Sequence, residues 1–195
     1  MKKLVLFTVL FLFTFQSFSK SDDISNFELL NMSVGDRAID HFTQNEINQF
    51  QYGFESKLFA YVNLKESKLE KFNDGFVIIK PEDKNFLIHS IVVRKFFNND
   101  INECFKEQDK TINELSNIFE SVEATDKDTY EYSADTSGKS KVTTVNLILD
   151  DGSSGHIGCY NMSKDFLLLN NYNPETAVLS ISLNSKEYSY WQMNR

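Results

Sequence analysis

The chain has 195 residues, 41% hydrophobic and 25% charged, with 7 Gly, 2 Pro and 2 Cys. This composition excludes collagen-like, low-complexity and disulfide-dense mini-protein classes, and the length suffices to bury a core without a metal or several disulfides. With 20 basic against 28 acidic residues, the chain also lacks the basic footprint of a duplex nucleic-acid binder.

The first nineteen residues read as a secretory signal peptide. Lys2 and Lys3 form a positive start, an uncharged apolar run extends from Leu4 to Phe15, and Ser17 and Ser19 place small residues before Lys20. The run is shorter than the ~20 apolar residues that span a bilayer, and no Cys near Lys20 offers a lipid attachment point. Cleavage leaves residues 20–195 with 18 basic and 28 acidic residues. We expect one soluble exported domain, periplasmic or secreted, with no integral membrane segment and no nucleic-acid partner. An acidic protein of this kind is repelled by anionic headgroups and by nucleic acid alike.

Along the mature chain, Ile24 to Met32 reads as extended. Ser33-Val-Gly-Asp36 has the spacing of a helix N-cap, with Val34, Ala38, Ile39 and Phe42 at helical steps behind it. Thr43-Gln-Asn-Glu46 is a second capping box and opens a short helix. A strand is expected within 57–64. Residues 75–80 and 86–97 are β-branched runs around a Pro-containing turn and read as a hairpin. The second run is apolar at both parities, as a central strand would be.

Asp100 caps the longest helix, about 100–122. Ile101, Cys104, Phe105, Ile112, Leu115, Phe119 and Val122 form its apolar stripe, which should lie on one face of a sheet. Residues 123–141 read as a long surface loop. Val142 to Asp150 alternates, and Asp150-Asp151-Gly152 turns it into a strand over 154–162. Thr176 to Leu183 sets Ala177, Leu179, Ile181 and Leu183 inward and Ser180 and Ser182 outward. Asn184-Ser-Lys-Glu187 should cap a C-terminal helix. The expected fold is α+β: two layers, with a mostly antiparallel sheet under the long helix, and short N- and C-terminal helices.

Cys104 lies on the helix stripe, and Cys159 shares strand parity with Ile157. In an oxidising compartment two such inward thiols can pair, closing a loop of 55 residues; otherwise they are two separate buried thiols. The three histidines, His41, His89 and His156, lie in different elements, and on a strand positions 156 and 159 face opposite ways. No metal site and no cofactor follow from them. His89 shares parity with Leu87, Ile91 and Val93 and reads as a hydrogen-bonded strand histidine.

No Gly-x-Ser-x-Gly, Gly-x-Gly-x-x-Gly or complete phosphate-loop motif is present. Ser137-Gly-Lys-Ser140 has the end of the last but lacks its first Gly and precedes a strand. Asp126, Asp128 and Asp150 to Gly152 miss calcium-loop spacing. Tyr130, Tyr132, Tyr188, Tyr190 and Trp191 are candidates for a binding surface, or simply rings that cover the edge of the core.

Met32-Ser-Val-Gly-Asp36 with Ala38-Ile-Asp-His-Phe42, Cys104-Phe-Lys, Ser137-Gly-Lys-Ser140 and Gly158-Cys-Tyr160 resembles a set of small uncharacterised exported proteins from AT-rich marine bacteria. The resemblance covers most of the mature chain and implies compartment and fold only. The Ser-Val-Gly-Asp start is also similar to small lipoproteins of outer-membrane β-barrel assembly, over a dozen residues and without their lipid-bearing Cys. The expected role is non-enzymatic: binding of a protein or small molecule, or service as an envelope accessory. The alternative is a small secreted hydrolase with a site assembled from non-adjacent residues and His89 or His156 as base.

Overall fold

A computed structural model describes residues 23–98, 100–119, 121–170 and 176–194. The expected signal segment, residues 1–19, lies outside them. The chain is α+β, and its elements follow the hydrophobic periodicity closely wherever that periodicity is strong.

After a 3-10 turn over Ile24–Asn26, β1 (Glu28–Leu29) and β2 (Met32–Ser33) form a small hairpin. Ser33 is therefore a strand residue and not the expected helix cap. Asp36 instead reaches back, its carboxylate accepting from Ser33 N at 2.9 Å. Only a 3-10 turn, Ala38–Asp40, follows. The Thr43 box is as expected: Thr43 and Glu46 bond each other reciprocally and open α1, Gln44–Ile47. β3 (Ala60–Asn63) comes next, then the hairpin of β4 (Asp74–Ile79) and β5 (Ile88–Asn98).

The long helix α2 spans Ile101–Ile118, with the Asp100 carboxylate accepting from the Asn102 and Glu103 amides. It ends four residues before the expected limit, because Phe119 turns extended and Val122 joins a strand. The expected 123–141 loop carries two short strands, β6 (Val122–Ala124) and β7 (Asp128–Glu131). Both pair with one edge of β8 (Lys141–Leu149). β6 is only three residues long and β7 is exposed throughout, so the ladder to β8 defines them. β9 (Ser154–Asn161), α3 (Lys164–Leu169), β10 (Thr176–Asn184) and α4 (Lys186–Met193) complete the chain. α3 is too short for periodicity to reveal. The cap of α4 is Ser185, one residue later than expected, with its Oγ accepting from Tyr188 N.

The main sheet runs β3-β4-β5-β10-β9-β8-β6, with β7 also on β8, and every pairing is antiparallel. α2 lies across one face. Cys104, Leu115 and Phe119 bury there with Leu147, Ile157, Cys159, Leu179 and Ile181. Cys104 and Cys159 are disulfide-bonded, their Cα atoms 6.0 Å apart, and pin the helix to β9. Gln108, one helical turn beyond Cys104, is also fully buried on that face. Its Nε2 donates to the Thr143 and Ile157 carbonyls at 2.9 and 3.0 Å, while Oε1 has no partner.

The ladder slips once. Ile78 pairs with Ser90 but Ile79 pairs with Ile88, leaving His89 as the extra residue of a β-bulge. The bulge breaks the parity expected of His89. Its ring leaves the α2 side and packs edge-on against Phe59 at 5.3 Å, in the cluster of Phe59, Ile78 and Tyr188 beneath α4.

Candidate functional site

The sheet face opposite α2 is polar at its centre. Because side chains alternate, residues two apart on each strand share this face, and the ladders align them in rows. One row reads Phe76, Val92, Ser182, His156, Asn146 across β4, β5, β10, β9 and β8. The next reads Asp74, Arg94, Ser180, Gly158, Thr144, followed by Phe96, Val178, Tyr160, Val142. α4 packs over one end of the face, where Ser154 and Ser189 hydroxyls meet at 2.8 Å. α3 lies at the other end, where Tyr132 stands edge-on to both Tyr160 and Phe166. Between them the small residues Ser182, Ser180, Gly158 and Thr144 form a strip, the furrow, set among the larger Tyr160, His156, Arg94 and Phe76.

His156 is held by Asn146. Its Nδ1 lies 2.8 Å from Asn146 Oδ1, so Nδ1 carries the proton and Nε2 keeps a lone pair. Burial lowers the pKa of the ring, so it is uncharged at neutral pH. Nε2 leans over Gly158, 3.3 Å from where a Cβ there would sit, and Tyr160 Cε2 leans in from the other side at 3.0 Å. A side chain at 158 would displace both rings. Burial pushes the Tyr160 phenol up to about 12, with Tyr130 and Tyr132 adding to the effect, so it stays protonated. Arg94 is positioned by Asp74, Nη1 to Oδ2 at 2.9 Å, and by the Phe76 ring 5.0 Å beneath it. Thr144, Ser180 and Ser182 are each at most 9% exposed.

His89 is arranged differently. Ser185 Oγ at 3.3 Å and Glu187 Oε2 at 3.6 Å approach the same ring nitrogen, Nδ1. A relay needs its hydroxyl and its carboxylate on opposite nitrogens. Ser185 Oγ also accepts from Tyr188 N, and Glu187 pairs with Lys80. This cluster fastens α4 and aligns no hydroxyl–imidazole–carboxylate relay.

The Ser137 to Ser140 segment is closed on itself. Asp135 accepts from Ser137 N, Ser140 N, Ser140 Oγ and Ser163 Oγ, at 2.6 to 3.1 Å. Its own carboxylate fills the place an anion would take, and these bonds hold its pKa well below the usual range. Of the aromatic candidates, Tyr188 is buried, Tyr190 is exposed, and Trp191 stacks on Tyr188 at 5.5 Å. Tyr130 and Tyr132 lie at the opposite end of the face, beside Tyr160. The five are not brought together. A cleft of about 510 Å³ lies at the β3 edge, lined by Glu46, Gln49, Gln51, Asn63, Leu64 and Lys65, but its carboxylate is committed to the α1 cap and to Lys65.

Among the described residues no group of three or more His, Cys, Asp or Glu is placed to hold a metal, and no helix is long and apolar enough to cross a membrane. Arg94, Asn146, Ser180 and Ser182 were not visible as a site in the sequence. The alternation that turns Ser180 and Ser182 outward was readable, but not the strand order that sets them beside His156. No family model, curated protein or solved structure matches the chain.

Proposed function

We propose that the protein is an exported binding domain, periplasmic or secreted, whose polar ligand lies in the furrow around Gly158. The observation that carries this reading is the convergence of a neutral His156, its lone pair outward, with Ser180, Thr144 and Arg94 on a floor of small residues. A solvated sheet face has no need of sunken polar groups; a ligand surface does, because they fix orientation. The disulfide between Cys104 and Cys159 supports an oxidising compartment, as does the signal-like start. Kinship with the exported marine set belongs to the same proposal.

The test is nuclear magnetic resonance of the labelled mature protein mixed with the low-molecular-weight fraction of a periplasmic extract. Amide shifts centred on Thr144, His156, Gly158 and Ser180 are expected. Shifts absent there, or confined to other faces, contradict the reading. Intact mass of protein recovered after export should correspond to a chain beginning at Lys20, and a retained Met1 would contradict export by cleavage.

A further inference from the structure

We infer that the furrow is an acyl-transfer site in which the Ser180 hydroxyl is the nucleophile and His156 is its base, acting on an uncharged carboxylic ester. The inference rests on the furrow being the ligand surface and names its reaction class.

Three observations converge. Ser180 stands directly opposite Gly158 on the ladder. Facing Cβ positions in such pairs lie ~4.5–5.5 Å apart, and His156 Nε2 is 3.3 Å from the Gly158 Cβ position. The imidazole nitrogen therefore lies over residue 158, the direct cross-strand neighbour of the serine, in space left free because residue 158 has no side chain. Second, Ser180 is 9% exposed and its hydroxyl has no hydrogen-bond partner among the described residues. Ser90, Ser154, Ser182 and Ser189, towards α4 on the same face, are all engaged with one another or with Asn184. The Ser180 oxygen keeps access to the open side of the face, where a ligand can reach it. Third, Asn146 fixes the tautomer that leaves Nε2 free, which is the orienting role of the third member of a nucleophile–base–orienter set.

Arg94 flanks Ser180 on its other side, one strand over, and supplies a cation towards a developing oxyanion. In the first step Ser180 Oγ bonds to the acyl carbon, its proton passes to His156 Nε2, and the carbonyl electron pair moves to oxygen. Collapse then expels the alkoxide, which takes the proton from Nε2. Water attacks the acyl-serine and gives a proton to His156 Nε2; collapse breaks the acyl–Oγ bond, and Ser180 Oγ takes that proton back as the free acid leaves. The main-chain N–H groups of β10 are committed to ladders on both sides, so no pair of them is left for an oxyanion hole. One cation suits an ester better than an amide, whose leaving group is far poorer. Ser180 and His156 are not hydrogen-bonded in the structure; such pairs often tighten only with substrate.

The experiment treats the mature full-length protein with a fluorophosphonate and maps the adduct by mass spectrometry, with p-nitrophenyl acetate hydrolysis followed in parallel. A single adduct on Ser180 is expected, with p-nitrophenol released by wild type and lost in Ser180→Ala. His156→Gln should slow labelling about 100-fold or more, while His89→Gln labels at the wild-type rate. The wild-type adduct map needs no variant, so a variant that misfolds does not protect the idea. No adduct, an adduct on another residue, or unchanged labelling in His156→Gln overturns it. If the furrow amides still shift with extract while no adduct forms, acyl transfer is wrong and the binding reading survives.

Discussion

His156 Nδ1 and Asn146 Oδ1 face each other across the β8–β9 ladder at 2.8 Å, and that one hydrogen bond decides which ring nitrogen faces the furrow. With Nδ1 protonated, Nε2 presents a lone pair above Gly158; with the amide reversed, it would present a proton.

Gly158→Ala separates the site from the fold. A Cβ would press on the ends of two side chains, Tyr160 at 3.0 Å and His156 at 3.3 Å, and not on backbone. Replacing a strand glycine also recovers roughly 0.5–1 kcal/mol of chain entropy. Stability by urea denaturation should stay within about 1 kcal/mol of wild type, while the His156 ring resonances move and Ser180 labelling drops. Unchanged His156 resonances would mean that its ring does not lean over residue 158.

The disulfide should dominate stability. It closes a 55-residue separation, for which chain entropy gives about 4 kcal/mol. Cys104→Ser is expected to lose up to that amount in urea denaturation. Thiol labelling of denatured, unreduced wild type should find no free cysteine; two labelled per chain would refute the pairing.

Gln108 tests the helix–sheet interface. Its amide serves two strand carbonyls while Oε1 is buried without a partner. Gln108→Leu removes the orphaned acceptor but takes the donor from the Thr143 and Ile157 carbonyls, so it should lose about 1–2 kcal/mol. Gln108→Glu should cost about 3 kcal/mol at neutral pH, because it sets a buried carboxylate against two carbonyls. Burial raises that carboxyl's pKa, so its penalty should shrink as pH falls and the group takes up a proton. Equal losses in the two variants would contradict this account.

Much of the architecture was legible in advance, and the reasons are local. The stripe of α2, the β4–β5 and β8–β9 hairpins, the Thr43 box and the inward placing of Cys104 and Cys159 all follow from periodicity and turn chemistry. What stayed hidden depends on non-local pairing. His89 changed sides because one extra residue bulges from β5, which no apolar pattern records. β6 is three residues long and β7 is exposed throughout, and both are held as partners of β8. The furrow assembles from β4, β5, β10, β9 and β8, an order that the chain does not follow, so Ser180 and His156 share one face without any sequence motif between them.

The Glu46 cap gives a pH signature. Hydrogen bonds from Lys65 and Thr43 lower its pKa from 4.5 to about 2. A depressed folded pKa stabilises above the unfolded value and is lost as pH falls through the folded one. The Thr43 amide shift should therefore titrate with a midpoint near 2. A midpoint near 4.5 would show that the capping box and the Lys65 pair contribute nothing in solution.

The most direct test of the site is the long-range proton–nitrogen spectrum of the His156 ring at neutral pH, assigned by its loss in His156→Gln. A protonated, pyrrole-type Nδ1 and an unprotonated, pyridine-type Nε2 are expected. A protonated Nε2, as the opposite tautomer or as imidazolium, would contradict this assignment.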